Sequence, residues 1–401
     1  MSSKIFINIK LSEVTFIIGY GLYILYRALF GSAFQEILSG NIKRSLKILV
    51  LFILIIAYFA KRKVSVKSFY QTIGLLALGV FTYAFCESTD LICIILLFIT
   101  SYSVDISKII KSSIIINTIM IVLVFTFNRI GVLPDYTYSH YSVLEKTIVQ
   151  AHTYGFLHYS TPAFMILFLS FMVLYFKRST IVYTILFGIN LITYSIFTAR
   201  LPFFIFIITL LLIFVFNKAH IVKLIGNKLR KFISLLPFVF ITISYLLCWF
   251  YNSGNYIFTI MNAITSNRLL QGNVGLNEYG IHLFGTPIEM AGTYALKYGA
   301  LQGQSMSNYF YLDNDYLYSL IYYGVIFTVL ILFVYSSLVD YSLKEGNTFI
   351  FIWSIMTLVF ALINSTLLIV EYNPLIFLGI KVLLKEQKIN FIFNNRDKDN
   401  E

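Results

Sequence analysis

The sequence predicts an all-α, polytopic membrane protein of about 12 transmembrane helices, with a large extracellular loop between the ninth and tenth. Three observations predict it. The residues are 59% hydrophobic and 12% charged, roughly half the charged share of soluble domains, and the mean hydropathy is +0.82. Apolar runs long enough to span a bilayer recur along the chain. Between two of them lies 251–312, the longest stretch without such a run. It is too long to be a structureless connection inside a compact domain, so it reads as a functional face set between two spans.

A helix needs roughly 20 apolar residues to cross about 30 Å of hydrocarbon. The candidate spans, in order, are 12–31, 45–60, 68–86, 89–103, 109–127, 157–176, 180–198, 201–216, 232–250, 314–338, 347–366 and 373–386. Two of these, 89–103 and 373–386, are short for a full crossing. The N-terminus carries two lysines before a long apolar run and no small-residue cleavage site, and so reads as a first span. An even number of spans puts both termini on one side. With the N-terminus inside, 21 of the 30 lysines and arginines fall on inner segments and eight on outer ones, Arg27 lying within a span. The positive-inside rule therefore puts both termini in the cytoplasm. Lys43, Arg44 and Lys47 run against this bias and read as headgroup anchors. The loops 128–156 and 251–313 are then extracellular. Residues 1–386 form a single transmembrane bundle that includes 251–313 as a loop subdomain, and 387–401 is a charged, disordered cytoplasmic tail.

The net charge of +12 points to an anionic lipid surface and not to nucleic acid. Cys86, Cys93 and Cys248 lie in or beside apolar runs without metal spacing, as inert core thiols do. No repeat relates the two halves, which weighs against transporters built from repeated halves.

Four places combine residue types that carry chemistry. Arg200 sits in Thr198-Ala199-Arg200-Leu201-Pro202, a turn between spans. Pro202 suits the first turn of the following helix, so the guanidinium lies beside free helix N–H groups, a combination that binds phosphate. The plainer reading is an arginine snorkelling to headgroups. His158 opens a span and could move a proton near neutral pH, or simply bond a neighbouring carbonyl. In the large loop, Arg268, Glu278 and His282 could bind phosphate and activate a hydroxyl, although their spacing matches no metal site or triad. Asp313-Asn314-Asp315-Tyr316 then enters the next helix, where capping and the helix dipole account for it equally well. The tyrosines around it suit an interfacial belt or the faces of sugars.

These residues carry a resemblance. Leu283-Phe284-Gly285, then Leu312-Asp313-Asn314-Asp315-Tyr316-Leu317, then Tyr323-Gly324-Val325-Ile326 resemble the late segment of Wzy-type polysaccharide polymerases, which reads LFG, a spacer, DNxYL and a GII-like run. Gly155-Phe156-Leu157-His158-Tyr159-Ser160 is similar to the GFxHPN stretch of that family, with Tyr159-Ser160 in place of Pro-Asn. Thr198-Ala199-Arg200 and Asn267-Arg268-Leu269 are similar to its SR-type turn and to the GR-containing start of its large loop. The likeness spans roughly 150–375.

The resemblance implies a GT-C-like membrane glycosyltransferase, related to O-antigen ligases, at the outer face of the bacterial cytoplasmic membrane. Its donor would be a growing glycan on undecaprenyl pyrophosphate, and its acceptor a repeat unit on a second such lipid, both approached through the bilayer. Arg200 and Arg268 would bind the pyrophosphate. His282 would be the base, with His158 and Asp313 as substitutes, while Asn314, Asp315, Tyr316 and Glu278 would bind substrate. The reaction would invert the anomeric centre, without metal or cofactor. A flippase and a chain-length regulator would be its protein partners. A lipid-oligosaccharide flippase and an O-antigen-type ligase are the alternatives, with a secondary transporter third.

Overall fold

The structure is a computed structural model that describes residues 11–60, 66–142, 147–298 and 309–384. The tail 387–401, part of the inner basic residues and 299–308 of the large loop lie outside the described residues.

All twelve apolar stretches contain helix: Leu11–Phe30, Gly40–Phe59, Val66–Cys86, Thr89–Ser101, Ile106–Arg129, Thr161–Phe176, Thr180–Phe197, Arg200–Lys218, Asn227–Trp249, Asp315–Lys344, Thr348–Phe360 and Ile376–Leu384. Among the described residues seven of these are long and apolar enough to cross a membrane. They are Leu11–Phe30, Ser68–Cys86, Ile106–Arg129, Thr180–Phe197, Arg200–Lys218, Asn227–Trp249 and Asp315–Lys344. Thr89–Ser101, Thr161–Phe176 and Thr348–Phe360 are shorter apolar helices. Large apolar side chains such as Phe59, Leu211 and Phe214 stay exposed on these helices. In water such a surface would aggregate; in lipid it is the solvent-facing side. The chain is thus a polytopic α-helical membrane protein.

Polar side chains take their places for local reasons. Ser39, Asp105, Ser179 and Asn347 each cap a helix by accepting a backbone N–H in its first turn. Inward faces carry aromatic bulk: Tyr20, Tyr335, Trp353, Phe327 and Phe377 are fully buried. The three cysteines are free and buried.

One element departs from the all-α expectation. Within 128–156, strand β1 (Thr137–Ser142) pairs antiparallel with β2 (Thr147–His152), Thr137 opposite His152. Aromatic and β-branched residues in both strands favour this pairing. Asp135 closes the open end, accepting the N–H groups of Thr153 and Tyr154 at 3.0 and 2.8 Å. Tyr136 and Tyr138 bury against Phe34, Phe156 and Met165.

The 251–312 segment holds the helices Tyr256–Ile264, Arg268–Tyr279 and Thr293–Tyr298. Leu269, Leu276, Leu312, Leu317 and Ile321 form a small core of their own with Cys248. Its attachment to the bundle is specific. The Asp315–Lys344 helix widens into a π-helical turn at Ser319–Tyr323, and residues 282–286 run alongside it. Thr286 N–H donates to Ile321 O (3.1 Å), Val325 N–H to His282 O (3.0 Å) and Ile326 N–H to Leu283 O (3.2 Å). Backbone groups beside the widened turn thereby find partners. The crossing needs glycine twice. Gly285 (φ +88°) and Gly324 (φ +83°) touch, and a Cβ on Gly285 would lie 2.0 Å from the Tyr322 carbonyl oxygen. Phe284 stacks on Phe81 and Phe85 at 5.4 and 5.6 Å. Leu283-Phe284-Gly285 and Tyr323-Gly324, far apart in sequence, therefore meet as a structural joint. A second tie is Glu36, which accepts hydrogen bonds from both Tyr136 and Tyr294.

Candidate active site

Arg268 is the first residue of its helix, and the turn before it is unusual. Ser266 (φ +54°) and Asn267 (φ +65°) are both left-handed, a conformation that Asn tolerates and Ser adopts less readily. Buried Asn262 holds this turn. Its Nδ2 donates to Asn267 Oδ1 (3.0 Å), and its Oδ1 accepts the Leu270 N–H (3.0 Å). The guanidinium that emerges is fixed on three sides. Nε donates to Ile363 O (2.9 Å), Nη1 to Thr265 O (2.8 Å), and Nη2 pairs with Asp313 Oδ2 at 3.1 Å. Of its five N–H donors, two remain for a ligand among the described residues. The side chains of Arg268 and Asp313 are 22% and 27% exposed, so the pair is open to a substrate.

Arg200 joins this pair. The helix before it ends at Thr198, left-handed at φ +55°, and the next helix begins at Arg200. Tyr159 records the meeting. Burial raises its phenol pKa, Arg268 and Arg200 pull it down, and Asp313 pushes it up. All three charges are therefore within electrostatic reach of one hydroxyl. Tyr309 senses the same pair: burial raises it first, then Asp313, with Arg268 opposing. Burial also pushes the Asp313 carboxyl up, opposed by Arg268. A carboxylate held above its ordinary range yet still paired is a stronger proton acceptor.

His158 precedes its helix and is half-buried beside this group, its ring 4.4 Å from that of Tyr159. The Ser160 N–H donates to its Nδ1 at 3.3 Å, and the Ser160 hydroxyl lies 2.7 Å from the same nitrogen. Those bonds assign the ring proton to Nε2. Burial lowers its pKa to about 4. At neutral pH His158 is thus an uncharged hydrogen-bond donor and not a base.

The other sequence-predicted residues have different placements. His282 is exposed, and its Nε2 bonds the Tyr279 carbonyl at 2.9 Å. That local bond gives it no partner in the arginine–carboxylate group among the described residues. Glu278 is exposed on the Arg268–Tyr279 helix. Asn314 caps the next helix by accepting the Leu317 N–H at 3.3 Å. Asp315 is 2% exposed, and its Oδ2 accepts the N–H groups of Thr366 and Leu367 at 2.7 and 2.6 Å. Tyr316 is fully buried and donates to Leu358 O at 2.8 Å. These three side chains build the fold in place of facing a substrate. Asp315 in particular pins the 361–375 connection, which supplies the Ile363 carbonyl to Arg268.

A second charged group stands beside these residues. Arg27 donates from Nε to Glu371 (2.9 Å) and from Nη1 to Asp90 (2.9 Å), and Lys47 Nζ lies 2.7 Å from Asp90. Tyr311 is near both groups. Burial moves its phenol up to about 12, Asp313 adds to that, and Arg27 opposes it. Arg27 is readable as a charge within a span, but nothing local in the sequence names its partners.

The chain matches no family model, no curated protein and no solved structure.

Proposed function

We propose that this protein is a membrane glycosyltransferase that polymerises lipid-linked oligosaccharide repeat units at the outer face of the bacterial cytoplasmic membrane. The observation that carries this is Arg268, oriented by two backbone carbonyls, paired with Asp313 and sharing the field at Tyr159 with Arg200. Two guanidiniums and a raised carboxylate at the edge of a membrane bundle suit a lipid diphosphate and a hydroxyl. In this reading all twelve helical stretches cross the bilayer in a GT-C-like arrangement, both termini are cytoplasmic, and the site faces outward.

The reaction is a single displacement. An acceptor hydroxyl of one undecaprenyl-pyrophosphate-linked repeat unit attacks the anomeric carbon of the growing glycan, and the C–O bond to the donor's pyrophosphate breaks. The electron pair leaves with the lipid diphosphate, where Arg268 and Arg200 meet the developing charge. The hydroxyl proton passes to Asp313, and His158 donates from Nε2. The anomeric centre inverts. With two guanidiniums at the leaving group, this chemistry needs no metal. In cells, Arg200→Ala and Arg268→Ala are expected to abolish long polymer while single lipid-linked repeats persist. Polymer of normal length in both variants refutes the pyrophosphate role.

One observation favours a second reading. The Arg27–Asp90–Glu371 group puts charge inside the bundle, as a lipid-oligosaccharide flippase requires. A flippase moves the lipid across a vesicle bilayer without lengthening its glycan.

A further inference from the structure

Arg27, Lys47, Asp90 and Glu371 come from four separate segments, and the transfer chemistry above uses none of them. Two cations and two carboxylates cancel, so the group has no net attraction for a bare anion. Ion pairs among apolar helices are expensive and mark function by default.

The network is also left open. Tyr23, Ile24 and Tyr26 around Arg27 are at most 2% exposed, yet Arg27 itself keeps 38% of its side chain accessible. Nε and Nη1 are bonded, while Nη2 has no partner among the described residues. Glu371 is almost fully buried, at 4% exposure of its side chain, and its Oε2 has no hydrogen-bond partner among the described residues. A guanidinium N–H beside an unpaired carboxylate oxygen offers a donor and an acceptor together, the complement of adjacent sugar hydroxyls. Tyr311, 37% exposed, supplies an aromatic face against which a pyranose ring can lie. Its position within reach of both Arg27 and Asp313 connects this recess to the Arg268–Asp313 pair.

We propose that Arg27, Glu371 and Tyr311 form a saccharide subsite that holds the hydroxyls of the sugar chain next to the Arg268–Asp313 centre. The subsite rests on the glycosyltransferase reading for its class of ligand, a neutral oligosaccharide. Arg27 Nη2 donates to one hydroxyl, a neighbouring hydroxyl donates to Glu371 Oε2, and Asp90 with Lys47 fixes the guanidinium from behind. The subsite sets the register of the glycan, and the arginine pair at 200 and 268 binds the diphosphate.

The test uses two probes on purified full-length protein: the repeat-unit oligosaccharide released from its lipid by mild acid, and sodium pyrophosphate. Each is titrated by calorimetry. Glu371→Gln and Tyr311→Ala are expected to weaken oligosaccharide binding tenfold or more and to leave pyrophosphate binding within twofold. Arg268→Lys is expected to do the reverse. Tyr311→Ala alters an accessible loop side chain and keeps the comparison valid if the buried Glu371 variant misfolds. Wild-type oligosaccharide affinity in both folded variants, or in Tyr311→Ala alone if Glu371→Gln misfolds, overturns the subsite and leaves the transferase reading standing. Parallel loss of pyrophosphate binding in Tyr311→Ala also overturns it. A folded wild-type protein that binds neither probe overturns both.

Discussion

Asp313 and Asp315 stand two residues apart and do different work, so replacing each should separate chemistry from architecture. Asp315 is 2% exposed, and one of its oxygens accepts two backbone N–H groups, from Thr366 and Leu367. Asp315→Ala strands both donors in a dry interior at about 1–3 kcal/mol each, roughly 2–6 kcal/mol in all. For a chain of this size that lowers the melting temperature by roughly 5 °C. It also frees the 361–375 connection, whose Ile363 carbonyl orients Arg268. Asp315→Asn keeps an acceptor oxygen and should lose about half as much. Asp313 is 27% exposed and holds Arg268 at 3.1 Å, a partly solvated pair that contributes about 1 kcal/mol or less to stability. Asp313→Asn should therefore melt with the wild type while polymer synthesis falls by roughly 10²-fold or more, the usual contribution of a proton acceptor. Thermal unfolding of detergent-purified protein, beside polymer length in cells, reads both effects. The reasoning is refuted if Asp315→Ala unfolds within a degree of wild type, or if Asp313→Asn makes normal polymer.

Two further outcomes are open to measurement. Gly285→Ala pushes a Cβ to within 2.0 Å of the Tyr322 carbonyl oxygen at a φ of +88°, a clash of about 3 kcal/mol or more. Monodisperse protein should largely disappear from size-exclusion profiles, and a normal yield would show that the joint with Gly324 is not needed. Because Cys86, Cys93 and Cys248 are buried, a new cysteine at exposed Glu278 reports sidedness cleanly. Glu278→Cys should react with a membrane-impermeant maleimide in intact cells; labelling only after permeabilisation would put the large loop in the cytosol, away from any exported glycan.

The helices were legible because lipid imposes a crude requirement, an unbroken apolar run, that composition alone meets. Arg268 and Asp313 were legible as charges flanking such runs. Other features depended on geometry that no local pattern carries. Arg27 and Glu371 are 344 residues apart in sequence, so their pairing is purely tertiary. His282 looks like a neighbour of Glu278 because four residues separate them. The helix stops instead at Tyr279, and Gly280 at φ +67° turns the chain so that the imidazole folds back onto a carbonyl. A glycine ending a helix was the available signal. The cluster at 313–316 mixed one accessible carboxylate with three side chains that cap and clip the fold, and capping chemistry looks the same in sequence as ligand chemistry. The β1–β2 hairpin was hidden because its alternation is short and polar.

The most direct measurement places purified protein in liposomes with a labelled undecaprenyl-pyrophosphate-linked repeat unit and resolves the glycans by size. A ladder of growing chains, absent in Arg268→Ala and accompanied by release of lipid diphosphate, is the expected result. Movement of the label across the bilayer with no lengthening of the glycan would contradict glycosyl transfer outright.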